Sequence, residues 1–153
     1  MDKLLLHIQN LEKWLKFLNT YIDEIKKYYS LPLKEKYIED LDNDKRLREL
    51  IDLIIYNFSK IQSLLGEKVF KEVVDIMLIE YNDFIDLLAK LEQNGILTIG
   101  EWKKLRVIRN NFSHEYPEEI IEITQNLNDA IENVELLKTI VRKIKNKMIQ
   151  NAG

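Results

Sequence analysis

The sequence predicts an all-α fold, an antiparallel up-and-down bundle of about five helices. Apolar residues recur at steps of three and four along most of the chain, which is the period of one face of a helix. Four glycines and two prolines are too few for the tight turns of a fold with many strands. With 46% apolar and 32% charged residues, we expect residues 1–153 to form one globular domain of amphipathic helices.

The first predicted helix covers about residues 2–29. Its apolar stripe alternates steps of four and three: Leu4, Ile8, Leu11, Leu15, Leu18, Ile22 and Ile25. Pro32 disfavours helical angles at the residue before it and so ends the helix, and a short charged connector follows at 33–41. This stripe favours a core helix of the bundle, although it would also suit packing against a second copy of the protein.

Two further helices are predicted between residues 42 and 95. The Asp-Asn-Asp run at 42–44 provides N-cap residues for the second helix, and Gly66 fits its C-terminal cap. The third helix begins near Phe70 and ends at Asn94-Gly95. The apolar residues are Leu47, Leu50, Ile54, Phe58, Ile61 and Leu65 in the second helix, and Phe70, Val73, Met77, Tyr81, Phe84, Leu88 and Leu91 in the third.

The last two predicted helices lie on either side of a polar motif at 109–116. After a loop at 96–100, a shorter fourth helix carries Trp102, Leu105, Ile108 and Phe112. Pro117 fits the first turn of a fifth helix. Its apolar residues are Ile120, Ile123, Leu127, Ala130, Val134, Leu137, Val141 and Ile144. Residues 42–148 therefore complete the bundle that the long first helix and its connector, 1–41, begin.

Composition argues against several kinds of site and partner. There is no cysteine and no convincing cluster of metal ligands, so we expect neither a metal nor a cofactor. No window approaches the roughly 18 uncharged apolar residues of a membrane span, and the N-terminus does not resemble a signal peptide. We therefore expect a cytoplasmic protein without a membrane partner. The net charge of −3 gives no overall attraction to nucleic acid.

Positive charge is nevertheless concentrated at two places. Lys103, Lys104 and Arg106 make the approach to the motif locally basic. The second group is in the last helix: Lys138, Arg142, Lys143, Lys145 and Lys147. For this second group we favour the simpler explanation, a solvated face that complements the helix dipole.

The candidate functional residues lie in one segment, RNNFSHEYP at residues 109–117, where His114 follows Arg109 by five positions. Imidazole moves protons near neutral pH, and guanidinium fits the geometry of a phosphate, so the pair suits phosphodiester chemistry without a metal. Positions five apart do not share a helix face. The two side chains converge only if the helix ends or distorts between them, or if a second subunit supplies the partner.

Each of these residues also has a simpler explanation, and residue chemistry alone favours it. A histidine at a helix end is more often an electrostatic cap than a catalyst. Asn110 suits the positioning of a substrate hydroxyl, but its side chain could equally bond to the backbone. We expect Tyr116 to be extended because Pro117 follows it, and it could be a packing aromatic.

The pattern Arg109-x-x-x-x-His114, with Asn110 directly after the arginine, resembles the signature of HEPN domains. These are small helical bundles common in prokaryotic defence and toxin–antitoxin systems. With Tyr116 included, the pattern is similar to that of the HepT-like toxin branch, usually encoded beside a minimal nucleotidyltransferase antitoxin. Length, helix number and the late position of the motif are similar across most of the chain.

The resemblance implies a metal-independent endoribonuclease that acts as a homodimer, with two copies of the motif facing one cleft. His114 would exchange protons around the attack of the ribose 2′-hydroxyl, Arg109 would hold the scissile phosphate, and Asn110 would help to orient these groups. Supporting RNA contacts would come from Lys103, Lys104 and Arg106.

The resemblance also implies a protein partner and leaves two alternatives open. Tyr116 would be the residue that the nucleotidyltransferase antitoxin modifies with AMP or contacts, although packing against the helix turn is an equal explanation. One alternative is a non-catalytic subunit that binds a nucleotidyltransferase. The other is a structural helical dimer without a site. RNA cleavage separates the toxin from both.

Overall fold

A computed structural model describes residues 2–113 and 119–152, and the regular structure in these ranges is entirely helical, which confirms the all-α prediction. The elements are α1 (Asp2–Tyr28), α2 (Glu35–Glu39), a 3₁₀ turn (Leu41–Asn43), α3 (Lys45–Leu64), a π-helical turn (Leu65–Val69), α4 (Phe70–Ile76), α5 (Phe84–Gln93), α6 (Ile99–Asn111), α7 (Ile120–Glu132) and α8 (Val134–Ala152). Across these ranges, none of the helices has both the length and the apolar character that crossing a bilayer demands.

Helix α1 agrees with the periodicity of its sequence. All seven residues of the predicted stripe are buried against the rest of the same chain, so α1 is a core helix. It runs antiparallel to the α3–α4 segment. Near its start, His7 Nδ1 donates to Glu72 Oε1 at 2.6 Å, and near its end, Glu24 lies 3.8 Å from Arg46 at the beginning of α3.

The segment from α3 to α4 is one continuous helix, and the predicted helix end at Gly66 is wrong. Asp44 caps α3 as expected, since its carboxylate accepts a hydrogen bond from the N–H of Leu47 at 3.1 Å. At Gly66 the helix widens into the π-helical turn and then resumes. One glycine costs a helix only about 1 kcal/mol relative to alanine, which tertiary packing readily overrides. Gly95, with φ of 73°, does end α5 as predicted.

The predicted third helix is interrupted between α4 and α5. The N–H groups of Leu78 and Ile79 donate to the carbonyls of Asp75 and Val74 at 3.1 and 2.9 Å, the double closure of a Schellman motif. Asp83 then caps α5 by accepting a hydrogen bond from the first turn at 2.8 Å. The apolar spacing continues across this loop, and for that reason periodicity did not reveal it.

Leu78 occupies the left-handed position of this motif, with φ of 58° and 90% of its surface exposed. A side chain costs about 1–2 kcal/mol in this conformation, and Leu78 recovers little of that by burial. We expect Leu78→Gly to raise the free energy of unfolding by about 1 kcal/mol in urea denaturation. Leu78→Ala keeps the Cβ atom and should change it little. A less stable glycine variant would contradict this account.

The predicted last helix is two helices, α7 and α8, which meet at Asn133. The buried side chain of Asn133 and its backbone N–H both donate to the carbonyl of Asp129, at 2.7 and 3.0 Å. Helix α8 then runs antiparallel to α1, where Lys145 pairs with Glu12 at 3.1 Å. The described residues thus form six main helices and the short α2, where about five helices were predicted. Pro117 lies outside the described residues.

The predicted connector is more ordered than its charge suggested, because it contains α2 and the 3₁₀ turn. Leu33 is buried, and Asn128 of α7 binds both of its backbone groups, at 2.7 Å to the N–H and 2.9 Å to the carbonyl. Tyr29 packs edge-on against Tyr37 and donates its phenolic O–H to Asp44. These contacts hold the connector against α3 and α7.

The hydrogen bond to Asp44, together with burial and the negative charge of that carboxylate, raises the pKa of Tyr29 from 10.0 to about 12. The folded state therefore keeps a proton that the unfolded chain loses near pH 10. The stability contributed by this proton is complete below about pH 10 and is lost as the pH rises to about 12. In urea denaturation, the midpoint of the wild type should fall as the pH rises from about 10 to about 12. Tyr29→Phe should make this fall smaller. Tyr28→Phe, at an exposed neighbour, should keep the wild-type slope.

Candidate functional site

Helix α6 carries the predicted site residues, and a capping box fixes its first turn. Thr98 Oγ1 accepts a hydrogen bond from the N–H of Glu101 at 3.0 Å, and the Glu101 carboxylate accepts one from the N–H of Thr98 at 2.8 Å. These reciprocal bonds satisfy two N–H groups that the helix leaves open. The helix therefore begins at Ile99, inside the region predicted as a loop.

One face of α6 enters the core and the neighbouring face borders a groove. Trp102, Leu105 and Ile108 are buried. Arg106 and Arg109 follow Trp102 by four and seven positions, which places all three on one stripe of the helix. The stripe lines the groove, so the arginine of the motif does not simply extend into solvent. Arg109 is half-buried there.

The other predicted residues of α6 lie outside this groove. Lys103 and Lys104 are exposed and do not line it, so only Arg106 among the three predicted supporting cations lies beside Arg109. Asn110 is exposed as well, next to the groove-lining stripe. Its predicted role in orienting a substrate stays a prediction.

The groove has a volume of about 650 Å³ and lies between α6, the π-helical turn and the loop before α5. Its cations are Lys71, Arg106 and Arg109, and its carboxylates are Glu67 and Asp83. A single guanidinium group can donate hydrogen bonds to two oxygens of a phosphate. Two arginines one helical turn apart on a concave surface therefore suit a phosphodiester. The carboxylates on the same walls suit groups that donate hydrogen bonds.

Gly66 allows the ring of Trp102 to lie directly against the backbone of the π-helical turn. A Cβ atom at this position would be 2.6 Å from Cζ2 of Trp102, which is closer than two non-bonded carbon atoms approach in folded proteins. The indole also meets Phe70 and Phe84 edge-on, at centroid distances of 4.9 and 6.3 Å. Within the described residues its buried Nε1–H has no hydrogen-bond partner. π-Helical turns occur often at functional sites, and here the turn forms one wall of the groove.

The end of α6 is held against α7 and α3 by contacts that the sequence did not predict. Buried Asn126 of α7 donates to the carbonyl of Ile108 at 3.3 Å and accepts from Nδ2 of Asn111 at 3.2 Å. Phe112 packs edge-on against Phe58, with the ring centroids 6.2 Å apart. These contacts hold the backbone that leads into the second half of the motif. The sequence carried one signal of these contacts, because Asn126 is a polar residue on the apolar face of α7 and needs a hydrogen-bond partner there.

His114 and Tyr116, the predicted proton-transfer and modification residues, lie outside the described ranges, and their roles stay predictions. The other histidine, His7, serves to join α1 to α4 through Glu72. Among residues 2–113 and 119–152, no group of three or more histidine, aspartate or glutamate side chains is arranged to hold a metal ion.

Comparisons with known proteins gave no match, whether to a family model, a curated protein or a solved structure. Any function must therefore be argued from the residues of this chain. Those that bear on it are the motif at 109–116 and the cationic groove that begins at its arginine.

Proposed function

We propose that this chain is the toxin of a toxin–antitoxin pair, a HEPN-type endoribonuclease that needs no metal and acts as a homodimer. The observation that carries the proposal is Arg109, which lines a groove beside Arg106 and precedes His114 by five positions. A guanidinium in a partly enclosed groove attracts a phosphate more strongly than one in open water. The all-helical architecture and the pattern of Asn110 and Tyr116 around the histidine add support.

The reaction is an attack within the RNA strand. His114 takes the proton of a ribose 2′-hydroxyl, and the 2′-oxygen bonds to the adjacent phosphorus while the bond to the 5′-oxygen breaks. The protonated imidazole then gives its proton to the departing oxygen. Arg109 stabilises the charge on the pentavalent phosphorus, and Asn110 orients the reacting groups. The products carry a 2′,3′-cyclic phosphate and a 5′-hydroxyl.

The homodimer completes the site in this proposal, because a single copy of the motif supplies few polar groups around the scissile phosphodiester. A two-fold axis near the end of α6 would bring both copies of the motif to one cleft. Sedimentation at micromolar concentration should detect the dimer. A monomer at these concentrations, or a dimer whose contact surface leaves α6 far from any cleft, would contradict this part of the proposal.

The decisive experiment uses two matched substrates in the presence of EDTA. A single-stranded RNA should be cleaved, and the same sequence with 2′-O-methyl groups should stay intact because it lacks the attacking hydroxyl. Activity that disappears with the chelator and returns with a divalent ion would refute the mechanism. A protein that cleaves neither substrate but binds a nucleotidyltransferase would instead be the non-catalytic subunit. A dimer with neither property would be structural.

Tyr116 provides a separate test of the antitoxin. In this proposal a nucleotidyltransferase encoded beside the toxin transfers AMP from ATP to the phenolic oxygen of Tyr116, and pyrophosphate leaves. The adduct adds bulk and negative charge two residues from His114 and so repels RNA. Co-expression should add the mass of AMP to the peptide that contains Tyr116, and Tyr116→Phe should prevent it. If an active partner enzyme forms no adduct, the modification is refuted and the ribonuclease proposal stands.

A further inference from the structure

We propose that the groove beside α6 is a nucleotide-binding subsite for one residue of a single-stranded RNA. Its volume of about 650 Å³ lies within the roughly 300–1,000 Å³ of small-ligand sites. The lining of the groove combines cations with aromatic side chains, which suits the phosphate and the base of a nucleotide. This inference rests on the proposed ribonuclease function and extends it from the reacting phosphate to a neighbouring nucleotide.

The phosphate of this nucleotide would bind to Arg106 and Lys71, the two groove cations that the proposed reaction does not use. Arg106 and Arg109 are three positions apart on α6 and lie on the same helix face, and both line the groove. Lys71 contributes its charge to the groove from α4. Because Arg109 belongs to the motif as well, a nucleotide held here would be adjacent in the strand to the phosphate that is cleaved.

The base would bind against the aromatic part of the groove. Tyr81 and Phe84 are half-buried, so part of each ring remains available to a ligand. Trp102 beneath them is 3% exposed and is held by Phe70 and by the close approach of Gly66. Aromatic side chains bind bases by stacking, worth about 1–3 kcal/mol per base. Because Trp102 already holds one position, the aromatic side chains that pack on it lose little conformational entropy when a ligand binds.

Polar groups near the aromatic wall fit the edge of a base. Gln62 is 5% exposed yet lines the groove, and its amide both donates and accepts hydrogen bonds. Glu67 offers a carboxylate to ring N–H and exocyclic amino groups. Asp83 already accepts from the N–H of Asp86 at 2.8 Å as the cap of α5. Carboxylates disfavour inorganic phosphate or an acidic peptide, so a ligand with a phosphate and N–H donors fits best.

The test uses Trp102 as a reporter of the groove. The chain has two tryptophans, and Trp14 does not line the groove but packs under Lys60 at 4.1 Å. In a Trp14→Phe background, fluorescence therefore reports Trp102 alone. A short 2′-O-methyl RNA, which the proposed ribonuclease cannot cleave, should quench this fluorescence with a saturable dissociation constant. Binding detected by anisotropy without any quenching would overturn the subsite.

Two pairs of variants separate the groove from general electrostatic attraction. Arg106→Gln should weaken binding of the 2′-O-methyl RNA by about tenfold or more, whereas Lys103→Gln, the same loss of charge outside the groove, should weaken it by about twofold. Tyr81→Ala should weaken binding by about tenfold, whereas Tyr81→Phe should keep most of the affinity. Equal effects of Arg106→Gln and Lys103→Gln would overturn the subsite. Circular dichroism checks the folding of each variant. Arg106 is exposed, so Arg106→Gln should fold normally and still tests the groove if Tyr81→Ala unfolds.

The same measurements distinguish failure of the subsite from failure of the ribonuclease. Groove-dependent binding without cleavage of an unmodified RNA would refute the ribonuclease and retain the nucleotide subsite. Cleavage that is insensitive to Arg106→Gln and Tyr81→Ala would refute the subsite and retain the ribonuclease. Quenching by AMP but not by the oligomer would overturn the RNA assignment and identify a free nucleotide as the ligand.

Discussion

Replacing His114 with alanine should lower the rate of RNA cleavage by roughly 10²–10⁴-fold while the helical fold is retained. The reason is that the variant loses the group that moves protons at the 2′- and 5′-oxygens. Single-turnover assays in EDTA measure the rate, and expression in cells should no longer arrest growth. Cleavage at the wild-type rate would exclude His114 from the chemistry.

A matched control comes from the only other histidine of the chain. His7→Gln disturbs the 2.6 Å hydrogen bond to Glu72 and should lower the free energy of unfolding by about 1–3 kcal/mol. Well below its unfolding temperature, this variant should cleave RNA at the wild-type rate. The two histidines would thus separate stability from activity.

Arg109 allows the phosphate contact to be examined in the same assay. Arg109→Ala should lower cleavage by roughly 10²–10³-fold, the loss expected when a donor to the transition state is removed. Arg109→Lys keeps the charge but not the planar fork, so we expect only partial recovery. Full recovery with lysine would show that charge alone is sufficient.

Gly66→Ala should lower the free energy of unfolding by about 2–3 kcal/mol, the largest stability change that we expect from a single added methyl group. The new Cβ would lie 2.6 Å from the ring of Trp102, which is packed against Phe70 and Phe84 and has little room to move. Urea denaturation measures the loss, and the fluorescence of Trp102 should change because its ring is displaced.

Gly100→Ala is the matched control for this substitution. Gly100 is also helical, but an added Cβ there would meet only Thr98 Oγ1 at an ordinary 3.9 Å. The same change should therefore raise the free energy of unfolding by about 0.5–1 kcal/mol through helix propensity. If both alanines stabilise the protein, the close approach of Trp102 to Gly66 is wrong.

Periodicity predicted the helices well where one face of a helix meets one core. The stripes of α1 and α3 are buried as predicted, because apolar burial is the main force that orients an amphipathic helix. The same apolar periodicity was less informative about where the helices end. Helices end near Leu78 and Asn133, and the apolar spacing passes through both positions without change.

Gly66 shows how a local signal can be present and still be misinterpreted. A glycine after an apolar stripe is typical of a helix end, and Gly66 is therefore predicted to end the second helix. The apolar spacing in fact continues past the glycine, since Leu65 and Val69 are four positions apart and both are buried. The chain therefore stays helical at Gly66 and widens into a π-helical turn, in which the N–H of Phe70 donates to the carbonyl of Leu65.

The sequence by itself determined the helical class, the buried faces of the longest helices and the motif at 109–116, because each depends on residues close together in the chain. Only the tertiary structure decided which side chains share the groove with Arg109. Glu67, Lys71 and Tyr81 come from separate elements and reach the groove through the packing of the helices. Helix spacing places Arg106 beside Arg109, but no local pattern specifies which distant residues pack across from them.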